Sequence, residues 1–206
     1  MRREGDEQTW LINKKLDLKR DVTQWLRKDL IDVPPERISK ISIQHPDEEL
    51  ISIENKGDAE YEFVLLNSLP EGKKISESEV YQVANALSSL QVADVALRGK
   101  VFKEGSKPVV TKFHTYDGLT ITANTFSHDE NSYSCFEIVF NAADVIKKEK
   151  ISEDDAAFNS DPQAAEELAT ALTKRIEEWA YVLPGISQDA LVKKLDNFIL
   201  VEQPTQ

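Results

Sequence analysis

The chain has 206 residues, of which 40% are hydrophobic, and a formal net charge of −12 at pH 7. This length suffices for one large domain or two small ones with a buried core. The acidic excess argues against nucleic-acid binding and against contact with anionic membrane surfaces, because both ligands require clustered Lys and Arg.

Segment composition also bears on compartment and cross-linking. No stretch reaches the roughly 18 apolar residues of a membrane-spanning helix, and the charged residues 1–6 lack the apolar segment of a signal peptide behind them. We therefore expect the chain as written to be soluble and to carry no targeting segment. Cys135 is the only cysteine, so neither a disulfide within the chain nor a cysteine-based metal cluster can form.

The first half of the chain predicts a short strand and helix, then a three-stranded meander. Residues 10–12 read as the strand, and Asp21 as the N-cap of a short helix whose apolar face contains Trp25, Leu26 and Leu30. Alternating runs between residues 38 and 66 are typical of half-buried strands. Their apolar residues are Ile41 and Ile43, then Ile51 and Ile53, then Tyr61, Phe63 and Leu65.

The helix that follows has clear start signals. Ser76 and Glu79 have the spacing of a capping box, and Ile75 and Val80 that of a hydrophobic staple. An apolar stripe then continues at helical spacing and is expected to lie on the sheet. The stripe consists of Val80, Val83, Ala84, Leu87 and Leu90.

The second half repeats this order, beginning with a hairpin for which two registers compete. A two-residue turn would pair Phe113 with Thr122 and mix the two faces. A three-residue loop ending on Gly118 pairs Phe113 with Ile121 instead. The hydrophobic pattern therefore predicts the second register, with Gly118 in the left-handed conformation.

The third strand of this half, residues 133–140, is expected to place its inward residues opposite those of the preceding strand. The expected pairs are Phe136 with Ala123, Ile138 with Ile121 and Phe140 with Leu119. The polar residues 147–160 have no apolar periodicity, and we interpret them as the most mobile part of the chain.

A second long helix is predicted after this stretch. Asp161 is its expected N-cap and Pro162 its first residue. Its stripe consists of Ala165, Leu168, Leu172, Ile176 and Trp179. Residues 179–183 can become extended before Pro184, and Ser187 is the expected cap of a last helix. That helix contains Leu191, Leu195, Phe198 and Ile199.

These patterns together predict an α+β fold of duplicated β-β-β-α units, with an antiparallel sheet and helices packed on one face. Residues 1–97 form the first unit, with the N-terminal Trp strand and short helix. Residues 98–206 form the second unit, with the C-terminal short helix.

The sequence predicts no catalytic, cofactor-binding or metal site. His45, His114 and His128 lie on different hairpins or loops without metal-ligand spacing, and we interpret them as solvated surface side chains. His128 adjoins Asp129 and Glu130, but a hairpin turn explains this cluster more simply than a metal site does.

Cysteine and tryptophan also favour structural roles. Cys135 is expected to be a half-buried packing residue, because no histidine lies at a predictable distance from it. Trp10, Trp25 and Trp179 lie in apolar-periodic runs, which favours core anchoring over a stacking platform.

The candidate partner surface is the sheet face away from the two long helices. Alternation leaves that face too apolar to be wholly solvated and too polar for a core. Phe126, Tyr133, Val139 and Val110 are its committed members, and Phe126 and Tyr133 should be cross-strand neighbours. The alternative interpretation is a face half-covered by loops of the same chain.

Short motifs in a fixed order along nearly the whole chain resemble one family. They are Trp10-Leu11-Ile12, Trp25-Leu26, residues 29–34, residues 69–72, Phe113 with Asp117-Gly118-Leu119, and residues 179–184. The chain is similar in these motifs to the bacterial domain-of-unknown-function family DUF4340.

The resemblance implies a bacterial protein, usually longer, with an N-terminal membrane anchor and its bulk outside the cytoplasm. It also implies occasional association with transporter or gliding-motility components, and it implies no activity. Relative to such proteins, the anchor and roughly a hundred residues, comparable to a small domain, are missing before Met1. We therefore expect either a shortened form or a natural short relative.

Three functional classes follow in order. We expect a non-catalytic interaction module, the periplasmic or cell-envelope part of a membrane-associated and transporter-linked assembly. Its partner would be a protein or the missing N-terminal region of a longer parent, with no nucleic acid, no cofactor and no membrane contact by this segment itself. The alternative is a small-molecule or glycan binding domain with an aromatic-lined pocket, and an enzyme is third.

Overall fold

The computed structural model describes residues 26–56, 62–146 and 161–200. The strands in these ranges are β1 (Asp29–Ile31), β2 (Ile38–Gln44), β3 (Ile51–Asn55), β4 (Phe63–Leu65), β5 (Leu90–Gln91), β6 (Asp94–Leu97), β7 (Val109–Thr115), β8 (Asp117–His128), β9 (Asn131–Val145) and β10 (Trp179–Val182). The α-helices are α1 (Glu77–Ala84), α2 (Arg98–Val101), α3 (Pro162–Ile176) and α4 (Gly185–Leu191). Short 3-10 helices span Pro35–Arg37 and Leu195–Phe198.

One antiparallel sheet of eight strands dominates the fold, in the order β4-β3-β2-β7-β8-β9-β10-β6. β1 and β5 form a separate antiparallel pair. The first strands of the two predicted meanders, β2 and β7, lie side by side and pair with each other. The predicted α+β class with an antiparallel sheet is confirmed.

The predicted hairpin register is also confirmed. Phe113 pairs with Ile121, and Ile121 in turn pairs with Ile138. Leu119 pairs with Phe140, and Gly118 has a φ of 87°, as the three-residue loop requires. The hydrophobic pattern selected this register because a slip by one residue would turn the apolar set outward.

The main core lies between one face of the sheet and three helices. Alternation along β2, β3, β7, β8 and β9 directs apolar side chains to this face. α1, α3 and α4 each contribute buried residues to the same cluster. The largest fully buried side chains are Phe113, Phe136, Phe198, Ile38, Ile41, Ile43, Ile53, Leu87, Leu90, Leu119, Ile121 and Ile176.

The prediction that helices pack on one face holds for α1, α3 and α4 but not for α2. Val101, in α2, belongs to a smaller cluster with Phe126, Cys135 and Ala180 on the opposite face. The connection from β6 to β7 must cross the sheet, because four steps in strand order separate these strands. It crosses on the face that α1 and α3 leave free.

The first predicted helix is shorter than its apolar stripe suggested. α1 ends at Ala84, where the side chain of Asn85 donates to the carbonyl oxygen of Tyr81 at 2.8 Å. Ser89 then has a φ of 49°, and its amide donates to Asp32 Oδ1 at 2.8 Å. The chain thereby turns into β5, so Leu87 and Leu90 are buried without being helical.

Three other boundaries differ from the prediction. Leu30 lies in strand β1 rather than on a helix. α3 ends at Ile176, and Trp179 lies in β10 with 37% of its surface exposed, so it is not a core anchor. The last helix begins at Gly185, two residues before Ser187, because Pro184 already has the extended conformation of an N-cap.

The two predicted helix caps have different outcomes. Asp161 caps α3 as expected, since its side chain accepts a hydrogen bond from the Gln163 amide at 3.0 Å. Ser76 is the N-cap residue of α1 but makes no side-chain cap hydrogen bond. Its hydroxyl lies 3.0 Å from that of Ser78 instead, and Glu79 accepts from Lys193. The predicted capping box is therefore not formed.

This difference predicts unequal effects of two alanine substitutions. Asp161→Ala removes a formed cap and should lower the free energy of unfolding by about 1 kcal/mol, whereas Ser76→Ala should lower it by less than half of that. Urea denaturation of both variants measures the difference. Asp161→Asn is the matched control, because Asn caps as well as Asp does. Equal losses for Asp161→Ala and Ser76→Ala would contradict the assignment.

Some predicted features lie outside the described residues. They are the strand at residues 10–12, the helix begun at Asp21 with Trp25, Tyr61 in the third strand, and the polar residues 147–160.

Candidate interaction surface

The sheet face away from the main core presents continuous cross-strand rows. The longest row crosses six strands from β9 to β4, and a second row runs beside it. The first row is Val139, Thr120, His114, Lys40, Glu54 and Val64. The second is Glu137, Thr122, Lys112, Ser42 and Ser52. We call these two rows, with the adjacent Asn124, Val110 and Gln44, the open face.

Side chains of the open face are half-buried or exposed, and several pair with one another. Lys40 Nζ lies 3.0 Å from Glu54 Oε1. The hydroxyl of Thr120 lies 3.1 Å from His114 Nδ1, as the predicted position of His114 beside Thr120 allows. Val139 is the most exposed apolar member, with 60% of its surface accessible.

The electrostatic surroundings keep His114 uncharged. Burial lowers the pKa of this imidazole from 6.5, and the neighbouring ammonium groups of Lys112 and Lys40 lower it further. Asp144 opposes this shift without reversing it. His114 is therefore neutral at pH 7, and the positive charge in this part of the open face comes from the two lysines.

Residues 98–108, which we call the strap, cover the end of the sheet next to the open face. The Phe102 ring packs edge-on against the Phe126 ring at a centroid distance of 4.9 Å. The Arg98 guanidinium lies 5.6 Å from the centroid of Phe102 and forms an ion pair with Glu137 at 2.9 Å. The strap thus has an apolar anchor and a charged link to the open face.

The four residues of the predicted partner surface share this face but differ in exposure. Phe126 and Tyr133 are cross-strand neighbours, as predicted, with stacked rings 6.2 Å apart. Phe126 is only 7% exposed because Phe102 covers it. Tyr133 and Val110 are half-buried, and Val139 is exposed. Phe126 is therefore a packing residue here, and Val139 is the accessible apolar contact.

Phe102 is a residue that reasoning from the sequence missed. The only local signal is the apolar pair Val101-Phe102 within a segment otherwise rich in charge and glycine. Alternation cannot reveal it, because α2 is a single helical turn without periodicity.

Cys135 lies on the face opposite the main core, as predicted, but it is fully buried rather than half-buried. Burial raises the pKa of its thiol to about 11. Only about one thiol in a thousand is then ionised at pH 8, and the thiolate is the reactive form.

This burial predicts that Cys135 resists thiol reagents. A chromogenic disulfide at pH 8 should react with the native protein at least a hundred times more slowly than with the urea-unfolded chain. Phe102→Ala should accelerate the native reaction because it removes the ring above the cluster. Tyr81→Ala, which alters an aromatic contact with Phe63 in the main layer, is the control. A wild-type rate equal to the unfolded rate would contradict the burial.

The histidines do not converge. His45 is 6% exposed, which corrects its prediction as a surface residue, and its Nε2 lies 3.1 Å from the Lys193 carbonyl oxygen. His128 Nε2 lies 3.5 Å from Asp129 in the β8–β9 turn. Among the described residues, no group of three or more His, Cys, Asp or Glu side chains could hold a metal ion.

The fold and surface define a class of protein: an acidic α+β protein with a one-sided antiparallel sheet whose far face is partly strapped. Within residues 26–56, 62–146 and 161–200, no helix is long and apolar enough to cross a membrane.

The family model for the domain of unknown function DUF4340 matches residues 1–109, and the chain belongs to this family. The match covers the first meander, α1, β6 and the strap. No curated protein and no solved structure matches the chain.

Proposed function

We propose that this protein is a non-catalytic interaction module that binds a partner protein through its open face. The observation that carries the proposal is the uncovered pair of cross-strand rows, which none of the described helices overlies except at the strap. Such a surface offers a flat, preformed contact area whose backbone is fixed by hydrogen bonds on both sides of each inner strand. Val139 supplies its exposed apolar centre.

The charge of this surface indicates the chemistry of the partner. On the open face and strap, basic side chains outnumber acidic ones although the whole chain has a net charge of −12. The basic members are Lys40, Arg98, Lys100, Lys103, Lys107 and Lys112, and the acidic members are Glu54, Glu104 and Glu137. A protein surface that is neutral to acidic would therefore associate faster here than on the helical side.

The proposed setting comes from the resemblance to DUF4340. The module would be the periplasmic or cell-envelope part of a membrane-associated, transporter-linked bacterial assembly. Its partner would be another protein of that assembly or an N-terminal region of a longer parent. A phosphatase reporter fused after Gln206 in the native gene should be active if this setting is right, and an inactive but intact fusion would contradict it.

Site-specific crosslinking in the native organism tests the proposed surface. A photoreactive residue at Val139 should give one discrete protein adduct, and the same residue at Ile186 should not. Ile186 is the matched control because it is 74% exposed on α4, which packs on the other side of the sheet. Thr122→Arg, on the same face, should abolish the Val139 adduct. Equal adducts from both positions would contradict the proposal.

We also propose that residues 1–97 and 98–206 are duplicated units. The supporting observation is that each contains three antiparallel strands followed by a helix, with the two first strands paired at the junction. The two segments, expressed together as separate chains, should form a soluble complex, because the cut falls between β6 and α2. Insoluble or non-associating fragments would contradict the division.

The second candidate function is small-molecule binding, which one observation favours: aromatic and charged side chains converge on a pocket beside Trp179. Catalysis is not proposed, because no observation on the described part of the chain favours it.

A further inference from the structure

A small pocket lies at the edge of the main layer, away from the open face. Its floor is formed by the cross-strand partners Val95 and Tyr181 together with Trp179, two residues along β10. Val92 and Leu26 complete its apolar wall. Its volume is about 170 Å³, close to the roughly 150 Å³ of an apolar cavity that accepts benzene.

Two arginines line the same pocket. Arg175 lies in the last turn of α3, and one of its terminal nitrogens donates to the carbonyl oxygen of Leu30, which fixes the direction of the guanidinium. Arg27 lies on the segment that leads into β1. Since a guanidinium has five N–H donors, Arg175 retains donors for a ligand.

The charge of this lining is unusual for the chain. Among the described residues that line the pocket, none is acidic, although the protein has a net charge of −12. Burial also raises the pKa of Tyr181 to about 12, so its phenol stays neutral. The pocket thus combines a positive charge of two with an apolar, partly aromatic floor.

We propose that this pocket binds a small carboxylate that bears an aromatic ring. The ring lies against Trp179, whose exposed 37% it covers, and the carboxylate is held by Arg27 and Arg175. Guanidinium groups match carboxylates in geometry and form charge-assisted hydrogen bonds with them. The site is separate from the proposed protein-binding face, so either proposal can fail without the other.

Calorimetric titration of the full chain with phenylacetate and with its neutral amide tests this site. We expect saturable binding of one phenylacetate per chain and at least tenfold weaker binding of the amide. Arg27→Gln should weaken phenylacetate binding at least tenfold and leave amide binding unchanged. Trp179→Leu should weaken both, because it removes the surface that the ring covers.

Lys174→Gln is the matched control, since Lys174 is an exposed cation next to Arg175 that does not line the pocket. Its affinity for both probes should equal that of the wild type, with melting temperatures confirming that each variant is folded. Equal affinities for acid and amide, equal effects of Arg27→Gln and Lys174→Gln, or the absence of saturable binding at millimolar probe would each overturn the proposal.

Discussion

Gly118→Ala is expected to destabilise the protein by about 2–4 kcal/mol. The left-handed backbone of Gly118, with a φ of 87°, contributes about 1 kcal/mol of this loss. An added Cβ would also lie 2.6 Å from the Asn141 carbonyl oxygen and 3.0 Å from a Val145 methyl. Overpacking of this kind typically costs a further 1–3 kcal/mol. Urea denaturation measures the sum.

Gly105→Ala isolates the steric part of this effect. Gly105 has the same φ of 87°, but nothing lies within 4 Å of an added Cβ. The control should therefore lose only about 1 kcal/mol. Equal losses for the two variants would show that the close approach of the β8 turn to β9 is absent. A larger loss at Gly118 also predicts a weakened open face, because Thr120 and Val139 pair two residues further along the same hairpin.

The second large effect is expected at the ion pair between Arg37 and Asp117. Asp117 is 4% exposed; its carboxylate accepts from Arg37 Nε at 3.1 Å and also from the hydroxyl of Thr115. Arg37→Met leaves this carboxylate buried without its counterion. Breaking a buried pair in this way costs about 3–5 kcal/mol. Because 24% of the Arg37 side chain is exposed, we expect a loss near the lower end of that range.

A double-mutant cycle identifies the cause of this loss. Asp117→Asn in the Arg37→Met background should restore part of the stability, since a neutral amide needs no counterion. Lys40→Met is the matched control: its pair with Glu54 is solvent-exposed on both sides, with 46% exposure of each side chain. Exposed pairs contribute at most about 1 kcal/mol. Equal losses for Arg37→Met and Lys40→Met would contradict the buried pair.

The sheet could be predicted from the sequence where local signals agreed. Alternation and the Gly118 loop together fixed the β7–β8–β9 register, because a slip of one residue exposes Phe113 and Ile121. The same parity placed Phe126, Tyr133, Val139 and Val110 on one face. These are properties of neighbouring strands, so short-range patterns were sufficient.

Long-range partners explain what the sequence could not show. Glu79 contacts Lys193 instead of completing a capping box, and His45 contacts the carbonyl of the same distant residue. Neither partner can be recognised from spacing, because each lies more than a hundred residues away. Phe126 is buried for a similar reason, since the strap crosses the sheet only because β6 pairs with β10.

The central claim is that the open face binds a protein partner through the surface around Val139. The most direct measurement is the affinity of the purified chain for the partner that the Val139 adduct identifies, determined by calorimetry for the wild type, Val139→Glu and Ile186→Glu. We expect Val139→Glu to weaken binding at least tenfold, about 1.4 kcal/mol, while Ile186→Glu binds as the wild type does. Unchanged affinity of Val139→Glu, or equal losses for both variants, would contradict the claim.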